Sequence, residues 1–241
     1  METCAAIFLC EGPTDVAVVG ACLEKLYGAA TEELSTGKSR LYHSKFVISD
    51  VRFGMFAPGG LEEAEKALVS IATDRAIRGR YPNLKHLCLI RDSNGHEAVA
   101  LASRFRNLTA DIGNPETPPV EVPNGSFQLP NVILSQMLMG DPAFGASDRN
   151  AVDDHVVDCL SQLNRSDLSQ LAVAFEDITG MPPTSKQFVN LAMTLDSHLG
   201  EPTRYYENVV KNASEGWVEA FIGRIGLEGI VMTMIQESQR C

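Results

Sequence analysis

The sequence predicts an α/β protein in which a mostly parallel sheet is flanked by helices and followed by a helical C-terminal part. Three observations carry this. Over the first 110 residues, short apolar runs alternate with longer amphipathic stretches, the βαβ pattern of a parallel sheet under helices. Glycine and proline punctuate the junctions between them. From about residue 150 onward, apolar positions recur at helical spacing with no strand-like run between them.

Residues 5–9 are continuously apolar and predict a buried strand. After Glu11-Gly12-Pro13-Thr14 the spacing predicts a helix with Thr14 or Asp15 near its N-cap. Val16, Val19, Leu23 and Leu26 form its stripe, and Gly28 ends it. Residues 46–51 predict the next strand. Pro58-Gly59-Gly60 then leads into a helix carrying Leu61, Ala64, Leu68 and Ile71 on one face. Tyr81-Pro82-Asn83 breaks that pattern, and residues 86–90 predict a third buried strand running straight into Arg91-Asp92-Ser93-Asn94-Gly95. A helix over 97–105 follows. The five prolines of 111–130 predict a loop or crossover, and 132–138 returns as a strand. Helical stripes come next at Val152, Val156, Leu160 and Leu163, over 168–178, over 188–199, and over 216–225, the last with Trp217, Phe221 and Ile225 on one face. The chain divides into an α/β domain over 1–145 and a helical region over 146–241 that packs on or completes the same domain.

At 241 residues and 44% hydrophobic composition the chain can bury a sizeable core. No run approaches the roughly 18 uncharged apolar residues of a membrane span. No basic region precedes residues 5–9, so the expectation is a cytoplasmic protein with no membrane partner. The six cysteines form no CxxC pair and mostly sit in apolar runs, as reduced core thiols do. A formal charge of −11 opposes a broad grip on nucleic acid, which comes from cations neutralising phosphates. Chemistry on DNA or RNA would need a local basic patch, a bound metal or a protein partner.

The placement of acids is the informative feature. Glu11 follows the first strand and Asp92 the third, and functional groups of open parallel sheets collect beyond the carboxyl ends of the strands. Two hard oxygen ligands with room for water suit magnesium, which takes one or two carboxylates plus substrate phosphate oxygens. No GxxxxGK or GxGxxG loop is present, no Ser–His–Asp arrangement is evident, and His43, His86, His96, His155 and His198 show no zinc spacing. Only His96 lies near the acids, where it would support a ligand. Arg75, Arg78, Arg80 and Lys85 make the clearest basic cluster and Arg104 with Arg106 a second; on the rim of the site either would guide a phosphate backbone.

Cys10-Glu11-Gly12-Pro13-Thr14-Asp15 resembles the Glu-Gly-x-x-Asp opening of Toprim domains, and Leu89-Ile90-Arg91-Asp92-Ser93-Asn94 resembles their Asp-x-Asp strand end. Gly59-Gly60 before a helix matches the middle segment. Val152-Asp153-Asp154 and Pro183-Thr184-Ser185-Lys186 resemble later segments of stand-alone, OLD-like Toprim proteins. The resemblance implies a Toprim-like (Rossmann-like) fold and a magnesium- or manganese-dependent, nuclease-like activity on phosphodiesters. It gives Glu11 proton transfer and a share in metal binding, Asp92 the metal, Asp15 a supporting place, and Asp153 a second metal position. Lys186 would stabilise charge on the pentacovalent phosphate. One departure is Asn94, where the family has its second aspartate; a carbonyl oxygen can still coordinate, but one negative charge is gone.

Each signal has a plainer reading. An acid and a glycine at a strand-to-helix turn often serve only the turn, and Asp153 and Asp154 complement a helix dipole. A lysine at a helix start is usually solvated. Asn94 and the acidic surface also fit a non-catalytic Toprim-fold module that holds a nucleotide, metal or partner protein. A receiver-like domain is disfavoured because no adjacent acidic pair follows the first strand.

Overall fold

The computed structural model describes residues 4–33, 42–93, 96, 98–112, 118–122, 125–139, 152–163, 165–198 and 200–238. Within them, eight strands form one sheet: β1 (Cys4–Cys10), β2 (Ala30–Glu33), β3 (Tyr42–Ile48), β4 (Val51–Ala57), β5 (His86–Arg91), β6 (Val120–Val122), β7 (Ser126–Leu129) and β8 (Val132–Leu138). Their order is β2-β3-β4-β1-β5-β8-β7-β6. The four central strands pair in parallel, while β3 and β7 run against their neighbours, so the sheet is mixed with most strands sharing one direction. From β1 the chain reaches β4 on one side and then crosses to β5 on the other. The reversal opens a crevice beyond the carboxyl ends of β1 and β5.

The helices are α1 (Pro13–Tyr27), α2 (Leu61–Thr73), the single turn α3 (Arg75–Arg78), α4 (Ala98–Ile112), α5 (Val152–Gln162), α6 (Ser166–Thr179), α7 (Ser185–Leu195), α8 (Pro202–Asn212), α9 (Glu215–Ile225) and α10 (Leu227–Ser238). Alternation along β1 divides the interior. Ala6, Phe8 and Cys10 join α1 in one core, and Ile7 and Leu9 face α2 and α4 in the other. Val156, Val189, Val209, Phe221 and Val231 of the later helices belong to the α1 core. The C-terminal helices therefore complete the layer over α1 instead of building a core of their own. No described helix is long and apolar enough to cross a membrane. Cys4, Cys10, Cys22, Cys88 and Cys159 are buried free thiols.

Several expected elements differ. The strand expected over 46–51 is the end of β3, a tight turn and the start of β4. Ser49 (φ 48°) and Asp50 (φ 65°) both take the left-handed conformation that a two-residue hairpin turn demands, and Ile48 pairs with Val51. Because neither turn residue is glycine or asparagine, the run read as continuous. The segment 111–130 is not all connection: α4 continues to Ile112, and β6 and β7 add antiparallel edge strands. Two helices, α8 and α10, lie where no stripe was expected.

Candidate functional site

The crevice gathers acids from several elements. The Glu11 N–H donates to the Ile90 carbonyl at 3.2 Å, extending the register in which Cys10 sits opposite Ile90. Glu11 is thereby fixed beside the end of β5. Strand alternation then separates Arg91 from Asp92. Arg91 turns to α2, where its Nη1 meets Glu65 Oε1 at 3.4 Å, and Asp92 turns to α5, where its Oδ1 accepts the Val152 N–H at 3.0 Å.

Asp15 enters from the first turn of α1. The N-cap is Gly12, not Thr14 or Asp15: Pro13, whose ring presets the helical φ and whose missing N–H costs nothing there, occupies the first helical position. Asp15 falls at the third, and its Oδ2 accepts the Gly12 N–H at 2.8 Å. Asp153, in the first turn of α5, accepts a hydrogen bond from the Tyr206 hydroxyl of α8. Asp15 and Tyr206 are both buried.

Packing these groups together shifts their protonation. Burial, then the charge of Asp92, pushes the Asp15 carboxyl well above the ordinary carboxylate range, with the Gly12 N–H opposing and Glu11 and Asp153 adding to it. Burial and Glu11, opposed by the Val152 N–H, push Asp92 up to about 7; Asp153 and Asp154 contribute as well. Burial, then Asp153, likewise raises the Tyr206 phenol. Like charges this close favour a bound proton or cation.

Glu11 Oε2 is buried and without a hydrogen-bond partner. So is the Nε of Arg91, whose guanidinium is 1% exposed as a residue and is held through Glu65, which also grips Arg104 at 2.7 and 2.9 Å. An orphaned carboxylate oxygen beside further carboxylates is a hard-oxygen donor set suited to magnesium or manganese. Among the described residues, however, no three of His, Cys, Asp and Glu converge into a group that could hold a metal. The fit is to an ion held by one or two carboxylates, with other positions left for water or phosphate oxygens, and not to a closed cage.

Of the residues expected at the site, Glu11, Asp15, Asp92 and Asp153 lie near enough to affect one another's protonation without forming a metal cage, and Asn94 lies outside the described residues. Lys186 is exposed in the first turn of α7, with no described hydrogen bond or ion pair to an acid. His96 is exposed, its N–H donating to the Ser93 carbonyl. Neither expected basic cluster is a free cationic rim. Arg104 ends on Glu65 and Arg106 on Glu121, while residues 75–85 lie at the amino ends of β5 and β8, because Leu84 and Asn131 precede those strands. Tyr206 and Glu65 were not expected. Tyr206 lies on α8, where no helix was expected, and Glu65 among Glu62, Glu63 and Lys66 reads as a solvated face.

Fold and site together define a mixed, doubly wound α/β protein with a half-buried group of acids at its strand switch. No family model matches the chain, and no curated protein matches it significantly. The crystal structure of a hypothetical protein from Pyrococcus horikoshii OT3 is similar over 98% of this chain and 100% of that one, with a TM-score of 0.69 and 16% sequence identity. At that identity the likeness is one of fold.

Proposed function

We propose that the crevice is a Toprim-like site for magnesium- or manganese-dependent phosphodiester chemistry, nuclease-like in character, on DNA or RNA. The observation that carries this is that Glu11, Asp15, Asp92 and Asp153 act on one another's charge at the carboxyl ends of β1 and β5, with Glu11 Oε2 left unpartnered. A bound divalent cation would supply Lewis-acid polarisation of a phosphoryl oxygen and an activated water. The chain's own groups supply the rest. Glu11 and Asp92, fixed by the ends of two adjacent strands, are the ligand pair, and Glu11 Oε2 is the atom that takes up or gives back the proton. Asp15 is pinned by the Gly12 N–H and Asp153 by the Tyr206 hydroxyl, so both are held in place at the crevice. The geometry adds nothing to the role that the resemblance gives Lys186.

Purified protein is expected to cut single-stranded DNA, duplex DNA or RNA only with magnesium or manganese. Glu11→Gln and Asp92→Ala should abolish cleavage while circular dichroism remains that of the parent. Undiminished metal-dependent cleavage by both variants would overturn the assignment.

A second reading is a non-catalytic binding module. It is favoured by the structural bonds that Asp92 and Asp153 already make to Val152 and Tyr206. Calorimetric magnesium binding through Glu11 and Asp92, without cleavage of any of the three substrates, would select it.

A further inference from the structure

Among the described arginines, Arg91, Arg104, Arg106, Arg165 and Arg204 each reach a carboxylate. Arg75 and Arg80 reach none, and Arg78 is held only by the Ala72 carbonyl at 3.3 Å. All three fall in residues 75–85, a stretch with four cations and no acid in a chain of net charge −11. The fourth, Lys85, is paired with Glu237.

Arg75 and Arg78 line a cleft of about 320 Å³ together with Tyr81, Leu84 and Asn131. Its wall is fixed by the backbone. Asp74 Oδ1 caps α3 by accepting from the N–H groups of Ala76 and Ile77 at 2.7 and 3.2 Å. Successive turns close through Arg80 to Ile77, Tyr81 to Arg78 and Leu84 to Tyr81, and the Lys85 N–H then donates to the Ala5 carbonyl. The arginines thus stand on a rigid edge of the sheet. Across the six residues of β5, roughly 20 Å at about 3.3 Å per residue, lies the acidic crevice. That distance exceeds two Debye lengths at physiological salt, so the acids neither neutralise this patch nor belong to it.

We propose that this cleft binds the phosphate backbone of a nucleic acid, with Arg75 and Arg78 of its lining as phosphate contacts and Arg80, on the turn that follows α3, as a third contact beside it, at the opposite end of the sheet from the acidic crevice. The choice of a phosphodiester polymer rests on the function proposed above; the cleft and its uncompensated arginines do not. Such contacts read charge and spacing, not sequence, so single strands and duplexes both qualify as ligands.

The test is fluorescence anisotropy of labelled single-stranded DNA, duplex DNA and RNA oligonucleotides with the full chain in EDTA, where metal-dependent cleavage plays no part. Three phosphate contacts predict that raising monovalent salt from about 50 to about 200 mM weakens binding roughly 20-fold for single strands and roughly 40-fold for duplex. Arg75→Gln with Arg80→Gln, both exposed and free of internal partners, should remove about two-thirds of that salt slope, and adding Arg78→Gln should remove the rest. Arg204→Gln, which removes an exposed cation already paired with Glu201, should leave binding intact. Binding that is absent in the parent, unchanged in the triple variant, or confined to anionic phospholipid vesicles would overturn the proposal. A protein that binds in EDTA but never cleaves would fail the proposed function alone.

Discussion

Replacing Asp92 by asparagine should stabilise the metal-free protein above neutral pH. The carboxyl titrates near 3.8 in an unfolded chain and at about 7 in the fold. Between those values the folded state holds a proton that the unfolded state has released, so stability falls as pH rises and the loss is complete above about 7. At about 1.4 kcal/mol per pH unit the full cost of ionising Asp92 in place is on the order of 4 kcal/mol. Asparagine removes that cost and can still accept the Val152 N–H through its carbonyl oxygen. Urea unfolding in EDTA should show Asp92→Asn more stable than the parent by up to about 4 kcal/mol at pH 8, shrinking to less than half of that near pH 5. Magnesium at about a hundredfold excess over its dissociation constant should stabilise the parent by about 2.7 kcal/mol and the variant by much less. Equal stability of the two proteins at pH 8, or a less stable variant, would refute the reasoning that burial, with Glu11 beside it, disfavours the ionised carboxyl.

Three further outcomes are open to measurement. A Cβ on Gly20 would lie 2.6 Å from Cζ of the buried Phe46, so Gly20→Ala should overpack the α1 interface and cost about 1–3 kcal/mol in urea unfolding. Asp50 holds a left-handed conformation at φ 65°, and Asp50→Gly should relieve it, raising stability by about 1 kcal/mol in thermal melts. Trp217 stacks on Phe221 at 5.4 Å between centroids and donates to Asp158 at 2.8 Å; Trp217→Ala should cost about 3–5 kcal/mol by denaturant titration.

The parts of this molecule that were legible in its sequence are those where a local rule coincides with the tertiary one. Residues 5–9 and 87–90 are apolar on every position because both faces of the central sheet are covered, and the acids just after them follow from where such strands end. Legibility failed where pairing partners set the structure. Residues 126–129 become a strand because β8 offers an edge, and 120–122 because β7 then offers another, while the prolines and glycine flanking them argue locally for a loop. Ser49 and Asp50 form a tight turn without the residues that advertise one. Asp153 was legible as a candidate, but Tyr206 was not, since a tyrosine on a helix stripe gives no sign of which acid its hydroxyl will meet. The two basic clusters needed the topology to show that one is spent on Glu65 and Glu121 and the other stands at the far end of the strands.

The bond from the Val152 N–H to Asp92 gives the acid at the end of β5 a second duty as the anchor for the leading end of α5. The next residue, Asp153, ties that helix to Tyr206 and so to α8, which packs along α1. A change in the charge that Asp92 or Asp153 carries therefore acts directly on the bonds that hold the first turn of α5. Amide exchange in the first turn of α5 is where such a change would be read.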